Sequence, residues 1–295
     1  MKHTQRTLSF HFGVPGCILG ILCMVLVSCP FIDREYDPFF LDEDRPYFEY
    51  NAASDYYYCL PWNYSREWNS RREYPLVIFL HGSGGAGNIS YLNYLGYQDP
   101  DSTYINQIAY NFQTTHPSFV LIPQTAGSWN NQILMSEIES FKAAYRINEQ
   151  RIYVIGYSMG GSGSYSLANA YCDDNGSLFA GIVRLAGQSQ ISVRDAIAEH
   201  TAVWMHTGLE DEAIRITTTR EAYDFLKNHP VNLHAEESVA VYDVNGKSVA
   251  TKTLTRGKNE VAKISEYADT GHGIVMLPAQ DPEIMEWLFE QQIVY

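Results

Sequence analysis

Basic residues are scarce in this chain, and their scarcity excludes one class of partner. Lysine and arginine number 20 against 34 aspartates and glutamates over 295 residues, so the formal net charge at pH 7 is −14. A surface of that sign repels the phosphates of nucleic acids and of anionic lipids. We therefore expect no nucleic acid among the partners of this protein.

Cysteine is also scarce, with five residues in the chain. Cys17, Cys23 and Cys29 lie in or directly after an apolar N-terminal stretch, so Cys59 and Cys172 are left to the folded part. In an oxidising compartment these two thiols either pair or stay separate. The chain has no C-x-x-C pair and no Cys/His cluster, and its glycine-rich run 81–85 (His-Gly-Ser-Gly-Gly) lacks the Gly-Lys-Ser/Thr of a P-loop, so we predict no metal and no cofactor.

The first 28 residues have the pattern of an export signal. Lys2 and Arg6 precede the apolar run Cys17–Val27, which is too short to span a bilayer as a helix. The run ends in Leu26-Val27-Ser28-Cys29, which resembles the lipobox of bacterial lipoproteins. That resemblance implies lipidation of Cys29 and an enzyme held by acyl chains on a bacterial membrane, in the periplasm or at the cell surface. An ordinary secretory signal and an uncleaved anchor are the alternatives.

No internal repeat and no Pro/Gly-rich linker divides the chain after residue 55. Residues 29–55 are acidic, aromatic and punctuated by proline, which indicates a tether. Residues 56–295 are long enough for one catalytic domain. Within that domain, residues 237–254 alternate around Asn245-Gly246, a strong signal for a two-residue hairpin. We expect an added β-hairpin there, or an extended arm of the sheet.

Short apolar runs alternate with helix-like stretches along the domain. The run 76–80 is apolar throughout, which is typical of a strand buried on both faces of a parallel sheet. The predicted strands are 56–60, 76–80, 119–122, 152–155, 181–185, 201–207 and 262–267, and the predicted helices are 105–112, 133–145, 159–171, 215–228 and 282–292. This alternation predicts an α/β fold with a doubly wound, mostly parallel sheet and helices on both faces.

The segment Gly156-Tyr157-Ser158-Met159-Gly160 fits a nucleophile elbow. It reads G-x-S-x-G between a predicted strand and a predicted helix, the context in which a serine hydroxyl is exposed on a sharp turn. The flanking glycines allow the strand and helix backbones to approach closely. We predict that Ser158 is a catalytic nucleophile.

The acid and the base are expected to follow the serine in the order Asp or Glu, then His. Asp211 lies one short loop after the strand that ends at Thr207, and His272 lies between two glycines after the last strand. We predict Asp211 and His272 as the other members of a triad. Glu210, Glu212 and Asp269 remain alternatives for the acid, although the spacing from the strand end favours Asp211.

The oxyanion donors are predicted in two loops. One is the backbone N–H of Met159, directly after the nucleophile, and the other is the N–H of Gly82 or Ser83 in the glycine-rich run that follows Leu80. His81 is predicted to brace that loop rather than to act as a base.

These ordered motifs resemble the α/β-hydrolase serine esterases. They are most similar to the phospholipase/carboxylesterase, feruloyl-esterase-like and polyhydroxybutyrate-depolymerase-like group of secreted bacterial enzymes. The match includes Ile122-Pro123-Gln124 and Trp129 and extends from about residue 56 to the end of the chain. The resemblance implies that Gln124, Trp129 and Tyr157 line or support the substrate cleft, with core packing as the alternative role of Trp129.

The sequence therefore predicts a carboxylic ester hydrolase that acts outside the cytoplasm. Its substrates are expected to be small-molecule or polysaccharide esters, such as acyl or feruloyl groups on plant polysaccharide. A serine peptidase of the prolyl-oligopeptidase kind shares the triad, but the chain has no room for the large propeller domain that such enzymes carry. The third reading is a surface lipoprotein that binds carbohydrate or protein on an inactive hydrolase scaffold.

Overall fold

The computed structural model describes residues 48–64, 71–87, 112–173, 176–188 and 195–293, all of which belong to one compact unit, Phe40–Tyr295. Their strands form one mixed sheet. In chain order the strands are β1 (Glu49–Asn51), β2 (Tyr56–Cys59), β3 (Tyr74–Leu80), β4 (Phe119–Pro123), β5 (Ile147–Tyr157), β6 (Gly181–Leu185), β7 (Ala202–Gly208), β8 (Glu236–Val244), β9 (Lys247–Arg256) and β10 (Asn259–Tyr267). Across the sheet the order is β1-β2-β4-β3-β5-β6-β7-β10-β9-β8.

The central strands, from β4 across to β10, all run parallel. At the two edges, β1 and β2 on one side and β9 and β8 on the other pair antiparallel. The α-helices of the described ranges are α1 (Asn131–Ala144), α2 (Met159–Ala170), α3 (Asp195–His200), α4 (Ala213–Asn228) and α5 (Glu283–Glu290). None of these helices combines the length and the apolar composition that a membrane crossing requires.

Both faces of the sheet are covered because successive side chains of a strand point to opposite faces. In β3, Leu76, Ile78 and Leu80 pack into one buried cluster with residues of α1, α2, α3 and α4. The intervening Val77 and Phe79 pack into a second cluster with α5. The predicted α/β class, a mostly parallel sheet with helices on both faces, is confirmed.

Helix α1 shows how the local sequence positions these layers. The Asn130 side chain accepts hydrogen bonds from the N–H groups of Gln132 and Ile133, at 2.9 and 3.2 Å, and so caps the helix N-terminus. Buried Leu134, Ile138 and Phe141 follow at intervals of four and three residues. This spacing places them on one face of the helix, which packs on the sheet.

The N-terminal edge of the sheet begins earlier than the sequence indicated. Glu49, Tyr50 and Asn51 form β1 and pair with β2, and Phe48 is buried. The end of the predicted tether therefore belongs to the sheet, because it pairs antiparallel with β2. The rest of the tether, the predicted signal with Cys29, and nearly all of the predicted helix 105–112 lie outside the described residues.

The predicted hairpin is an extended arm of the sheet. β8 and β9 pair antiparallel on either side of Asn245-Gly246, both of which have positive φ, as such a turn requires. β9 also pairs antiparallel with β10 over its length. The arm thus continues the sheet beyond the last parallel strand.

Cys59 and Cys172 are separate, buried thiols.

Candidate active site

Ser158 lies on a strained turn between β5 and α2. Its backbone has φ +55° and ψ −112°, a conformation that costs a residue other than glycine on the order of 1–3 kcal/mol. Ser158 N donates to Leu185 O at 2.8 Å, and Ser162 N donates to Ser158 O at 3.0 Å. The strand, turn and helix of an elbow are therefore present, and β6 holds the turn in place.

Glycine is required on both sides of this turn. An ideal Cβ on Gly160 would lie 1.9 Å from the carbonyl oxygen of Leu80 in β3. One on Gly156 would lie 2.1 Å from the carbonyl oxygen of Gly160. Since backbone atoms cannot move away as a flexible side chain can, only glycine allows α2 to begin directly against β3 and β5.

The three predicted triad residues lie in hydrogen-bond contact. Ser158 Oγ is 2.9 Å from His272 Nε2, and His272 Nδ1 is 3.0 Å from Asp211 Oδ2. Because an ionised carboxylate only accepts hydrogen bonds, the ring proton belongs on Nδ1, and Nε2 is left to accept from the serine hydroxyl. The Asp211 side chain is 1% exposed and that of His272 is 39% exposed. Asp211 is therefore enclosed, whereas His272 faces solvent.

Two backbone hydrogen bonds join the loop after β7, which contains Asp211, to the loop after β10, which contains His272. Leu209 N donates to Tyr267 O at 2.9 Å, and Glu210 N donates to Thr270 O at 2.8 Å. The two strands are parallel neighbours whose register ends with Tyr267 beside Gly208. The sheet thus delivers both loops to the same edge, which the sequence order alone does not show.

The remaining carboxylate oxygen of Asp211 has its own partners. Oδ1 accepts from Glu212 N at 2.7 Å and lies 3.4 Å from Arg215 Nε. Of the alternative acids, Glu212 faces Arg215 Nη2 at 3.6 Å. Arg215 was missed by sequence reasoning, although its position four residues after an acidic residue, at the start of a helix, is a detectable signal.

Two of the predicted oxyanion donors, Met159 and Gly82, lie beside Ser158. Met159 is the first residue of α2, so its N–H has no partner within the helix, and the Ser158 side chain does not cap that end. A Cβ on Gly82 would lie 3.3 Å from Ser158 Cβ, so the Gly82 backbone passes directly beside Ser158. Gly82 is buried, whereas Ser83 is exposed.

His81 and Gln124 brace the glycine-rich loop. The His81 Nδ1 is 2.8 Å from Gly82 O, and Nε2 is 2.8 Å from Gln124 Oε1. Gln124 Nε2 donates to Gly85 O at 3.0 Å, and Oε1 also accepts from Thr125 N at 2.7 Å. Burial lowers the pKa of His81. The Gln124 amide, predicted to line or support the substrate cleft, is therefore engaged in holding the loop.

Trp129 and Tyr157 also hold neighbouring loops. Trp129 Nε1 donates to His81 O at 3.2 Å, and the two rings lie 4.7 Å apart. Tyr157 OH donates to His272 O at 2.8 Å, and its ring stacks on the imidazole with centroids 5.4 Å apart. Tyr157 therefore lies against His272 and Trp129 against His81, and each supports a loop of the site.

Solved structures of known proteins share this fold. A thermostable esterase superposes with a TM-score of 0.57 at 23% identity, over 85% of this chain and 64% of that chain. The acetyl xylan esterase of Aspergillus awamori gives 0.54 at 13% identity, over 82% of this chain and 98% of that one. The fluorophosphonate-binding serine hydrolase F of Staphylococcus aureus gives 0.50 at 12% identity, over 79% and 91%.

These similarities establish the α/β-hydrolase fold. The chain spans less than two thirds of the length of the thermostable esterase. No protein-family model matches the chain, and no curated protein matches its sequence. At sequence identities of 12–23% these similarities show only that the fold is shared. The activity is therefore inferred from the geometry around Ser158.

Proposed function

We propose that this protein is a serine carboxylic ester hydrolase. The observation that carries the proposal is the continuous contact from Ser158 through His272 to Asp211, with the serine on a strained turn and two backbone loops beside it. A nucleophile, a base within hydrogen-bond reach and an acid that orients the base are the parts that acyl transfer requires.

The geometry supports a two-step reaction. His272 Nε2 takes the proton of Ser158 Oγ as this oxygen attacks the ester carbonyl. The N–H groups of Met159 and of Gly82 or Ser83 hold the oxyanion, and Asp211 stabilises the imidazolium. The tetrahedral intermediate expels the alcohol, which receives the proton from His272. Water then attacks the acyl-serine with His272 again as the base, and the acid leaves as Ser158 regains its proton.

Replacement of the nucleophile tests this proposal. We expect Ser158→Ala to lower kcat on p-nitrophenyl acetate by roughly 10⁴-fold or more and to abolish labelling by a fluorophosphonate probe. Ser166→Ala, an exposed serine on the same helix, is the matched control and should behave as wild type.

Each other outcome has a distinct meaning. Undiminished hydrolysis by Ser158→Ala contradicts the assignment. Labelling of Ser158 together with cleavage of peptides and not of esters indicates a serine peptidase. Folded wild-type protein that neither labels nor hydrolyses indicates a binding protein on a hydrolase scaffold.

The proposed substrate class is acyl or feruloyl esters of polysaccharides. It is supported by the resemblance of the sequence motifs to secreted esterases and by the fold shared with a protein described as an acetyl xylan esterase. A panel of p-nitrophenyl esters of increasing acyl length, with methyl ferulate and acetylated xylan, measures this preference. Equal turnover of short nitrophenyl esters with none of methyl ferulate or acetylated xylan contradicts the polysaccharide proposal.

The proposed location is outside the cytoplasm on a bacterial membrane, anchored through Cys29. It is supported by the basic and apolar pattern of the first 28 residues and by the sequence Leu-Val-Ser-Cys that ends it. Mass spectrometry of the N-terminal peptide tests the anchor, and a mature chain that begins elsewhere, without acyl groups, contradicts it.

A further inference from the structure

Arg215 is a charged residue near the triad that the proposed reaction does not use. It lies in the first turn of α4, and its side chain is 12% exposed. Its Nε is 3.4 Å from Asp211 Oδ1, while the other carboxylate oxygen, Oδ2, faces His272 Nδ1. The Asp211 carboxylate therefore lies between the guanidinium and the imidazole.

The same guanidinium reaches a second element of the site. Arg215 Nη1 donates to Ala186 O at 3.2 Å. Ala186 follows β6, has φ +48° and donates its own N–H to His206 O at 2.9 Å. The residue before it, Leu185, accepts the N–H of Ser158. Arg215 thus connects the acid to the turn that holds the backbone of the nucleophile.

The surrounding charges explain why this contact matters. Arg215 Nη2 faces Glu212 Oε2 at 3.6 Å on its own helix. Arg184 of β6 is buried nearby, and burial, with a smaller contribution from the charge of Arg215, lowers the pKa of Arg184 to about 10. Arg184 repels the positive charge of Arg215. The carboxylates of Asp211 and Glu212 attract it, so they stabilise the Arg215 guanidinium in this position.

We propose that Arg215 is a positioning residue for the acid. Its guanidinium pairs by charge with the Asp211 carboxylate and hydrogen-bonds the turn after β6, and this keeps Oδ2 aligned with His272 Nδ1 while the imidazole gains and loses its proton. The inference rests on the proposed hydrolase function. It adds a fourth residue to the machinery, one that touches neither substrate nor the reacting atoms.

The test compares Arg215→Met, Arg215→Lys and Arg215→Ala with wild type. Loss of alignment of a catalytic group typically lowers the rate by up to about 100-fold. For Arg215→Met we therefore expect kcat on p-nitrophenyl acetate to fall about 10- to 100-fold with KM within about two-fold. Arg215→Lys should retain more of kcat, and added methylguanidine should restore part of the activity of Arg215→Ala and leave wild type unchanged.

Arg220→Met is the matched control. Arg220 lies on the same helix and pairs through Nε with Glu266 at 2.6 Å, away from the triad, and it is 52% exposed. Its replacement should leave kcat and KM unchanged. A folded Arg215→Met enzyme with wild-type kcat overturns the proposal. A loss of kcat that is explained by a lower melting temperature also overturns it. Such a loss would be equal in Arg215→Met and Arg215→Lys, and methylguanidine would not restore activity to Arg215→Ala.

A spectroscopic measurement separates this proposal from the proposed function. The proton on His272 Nδ1 that faces Asp211 gives a far-downfield NMR resonance, and this resonance does not require Ser158 to be a nucleophile. We expect it in wild type, Ser158→Ala and Arg220→Met, and we expect it to weaken or disappear in Arg215→Met. If Ser158→Ala retains activity, the function fails while the resonance still reports on Arg215. An unchanged resonance in Arg215→Met overturns the role of Arg215.

Discussion

The turn at Ser158 and the hairpin of β8 and β9 are packed in opposite ways. At the turn, backbone meets backbone so closely that Gly156 and Gly160 cannot carry a Cβ. In the hairpin, Val239 and Val241 are 63% and 69% exposed on an edge strand. The first region holds one geometry because every neighbouring element is in contact. The second is fixed mainly by pairing with β9.

The hairpin is nevertheless joined to the body of the protein through polar side chains on its inner face. Thr251 Oγ1 lies 2.6 Å from Ser265 Oγ in β10 and donates to Tyr242 OH at 3.2 Å. Tyr242 OH donates to Asp281, before α5, at 3.4 Å. The turn at Ser158 is therefore held by close packing, whereas the hairpin is held by strand pairing and a few hydrogen bonds.

The largest effect is expected from a side chain added at Gly160, where the backbone of α2 touches that of β3. Gly160→Ala places a Cβ 1.9 Å from Leu80 O, so strand and helix must separate. We expect the free energy of unfolding to fall by more than about 3 kcal/mol, which lowers the melting temperature by roughly 10 °C or prevents folding. Gly127→Ala is the control, since nothing lies within 4 Å of its Cβ. A Gly160→Ala protein as stable as this control shows that the close contact is wrong.

An intermediate effect is expected at buried His206 in β7, which stacks on Trp204 and is 3.0 Å from Tyr267 OH. Burial, and next the charge of Lys263, lower the pKa of His206 to about 3. The unfolded chain gains this proton below about pH 6.5, whereas the folded chain does not until about pH 3, so acidification between these values destabilises the fold.

His206→Phe removes this titration and keeps an aromatic ring on Trp204. Between pH 7 and pH 5 we expect the wild type to lose about 2 kcal/mol more of its free energy of unfolding than the variant loses. Urea unfolding of both proteins at pH 7, 6 and 5 measures the difference. Parallel pH dependences contradict the burial of a neutral imidazole at this position.

The smallest effect is expected on the outer face of the arm. Val241→Thr keeps a β-branched side chain of similar size on an exposed strand. We expect the free energy of unfolding to change by no more than about 0.5 kcal/mol, with kcat/KM on p-nitrophenyl acetate unchanged. A clear loss of stability or activity in this variant indicates that the outer face is covered, and the contrast with the elbow then fails.

Several elements could be predicted because their signals are local. The run 181–185 predicted β6 to the residue, because Ile182, Val183 and Leu185 make it a short apolar run. Asn245-Gly246 predicted the hairpin turn because both residues tolerate positive φ. The start of the sheet at Glu49 was missed, since a three-residue strand has too short a pattern to identify and is stabilised only by its partner β2.

The candidate site shows the same limit. Ser158, Asp211 and His272 could be selected from their order and from the glycines around them, because a sharp turn imposes its own sequence. The specific contacts of Gln124, Trp129 and Tyr157 could not, because each depends on a partner far along the chain. Gln124 holds the loop of His81, and Tyr157 holds the carbonyl of His272.

The sequence by itself determined the class of fold, the elbow at Ser158 and the order of acid and base, because short-range periodicity and turn chemistry specify them. Only the tertiary structure decided which carboxylate meets His272 and what holds it there. Asp211 reaches the imidazole because β7 and β10 are parallel neighbours, and Arg215 reaches Ala186 because α4 packs against β7, the strand next to β6. Such contacts join residues distant in sequence, so they exist only once the sheet has formed.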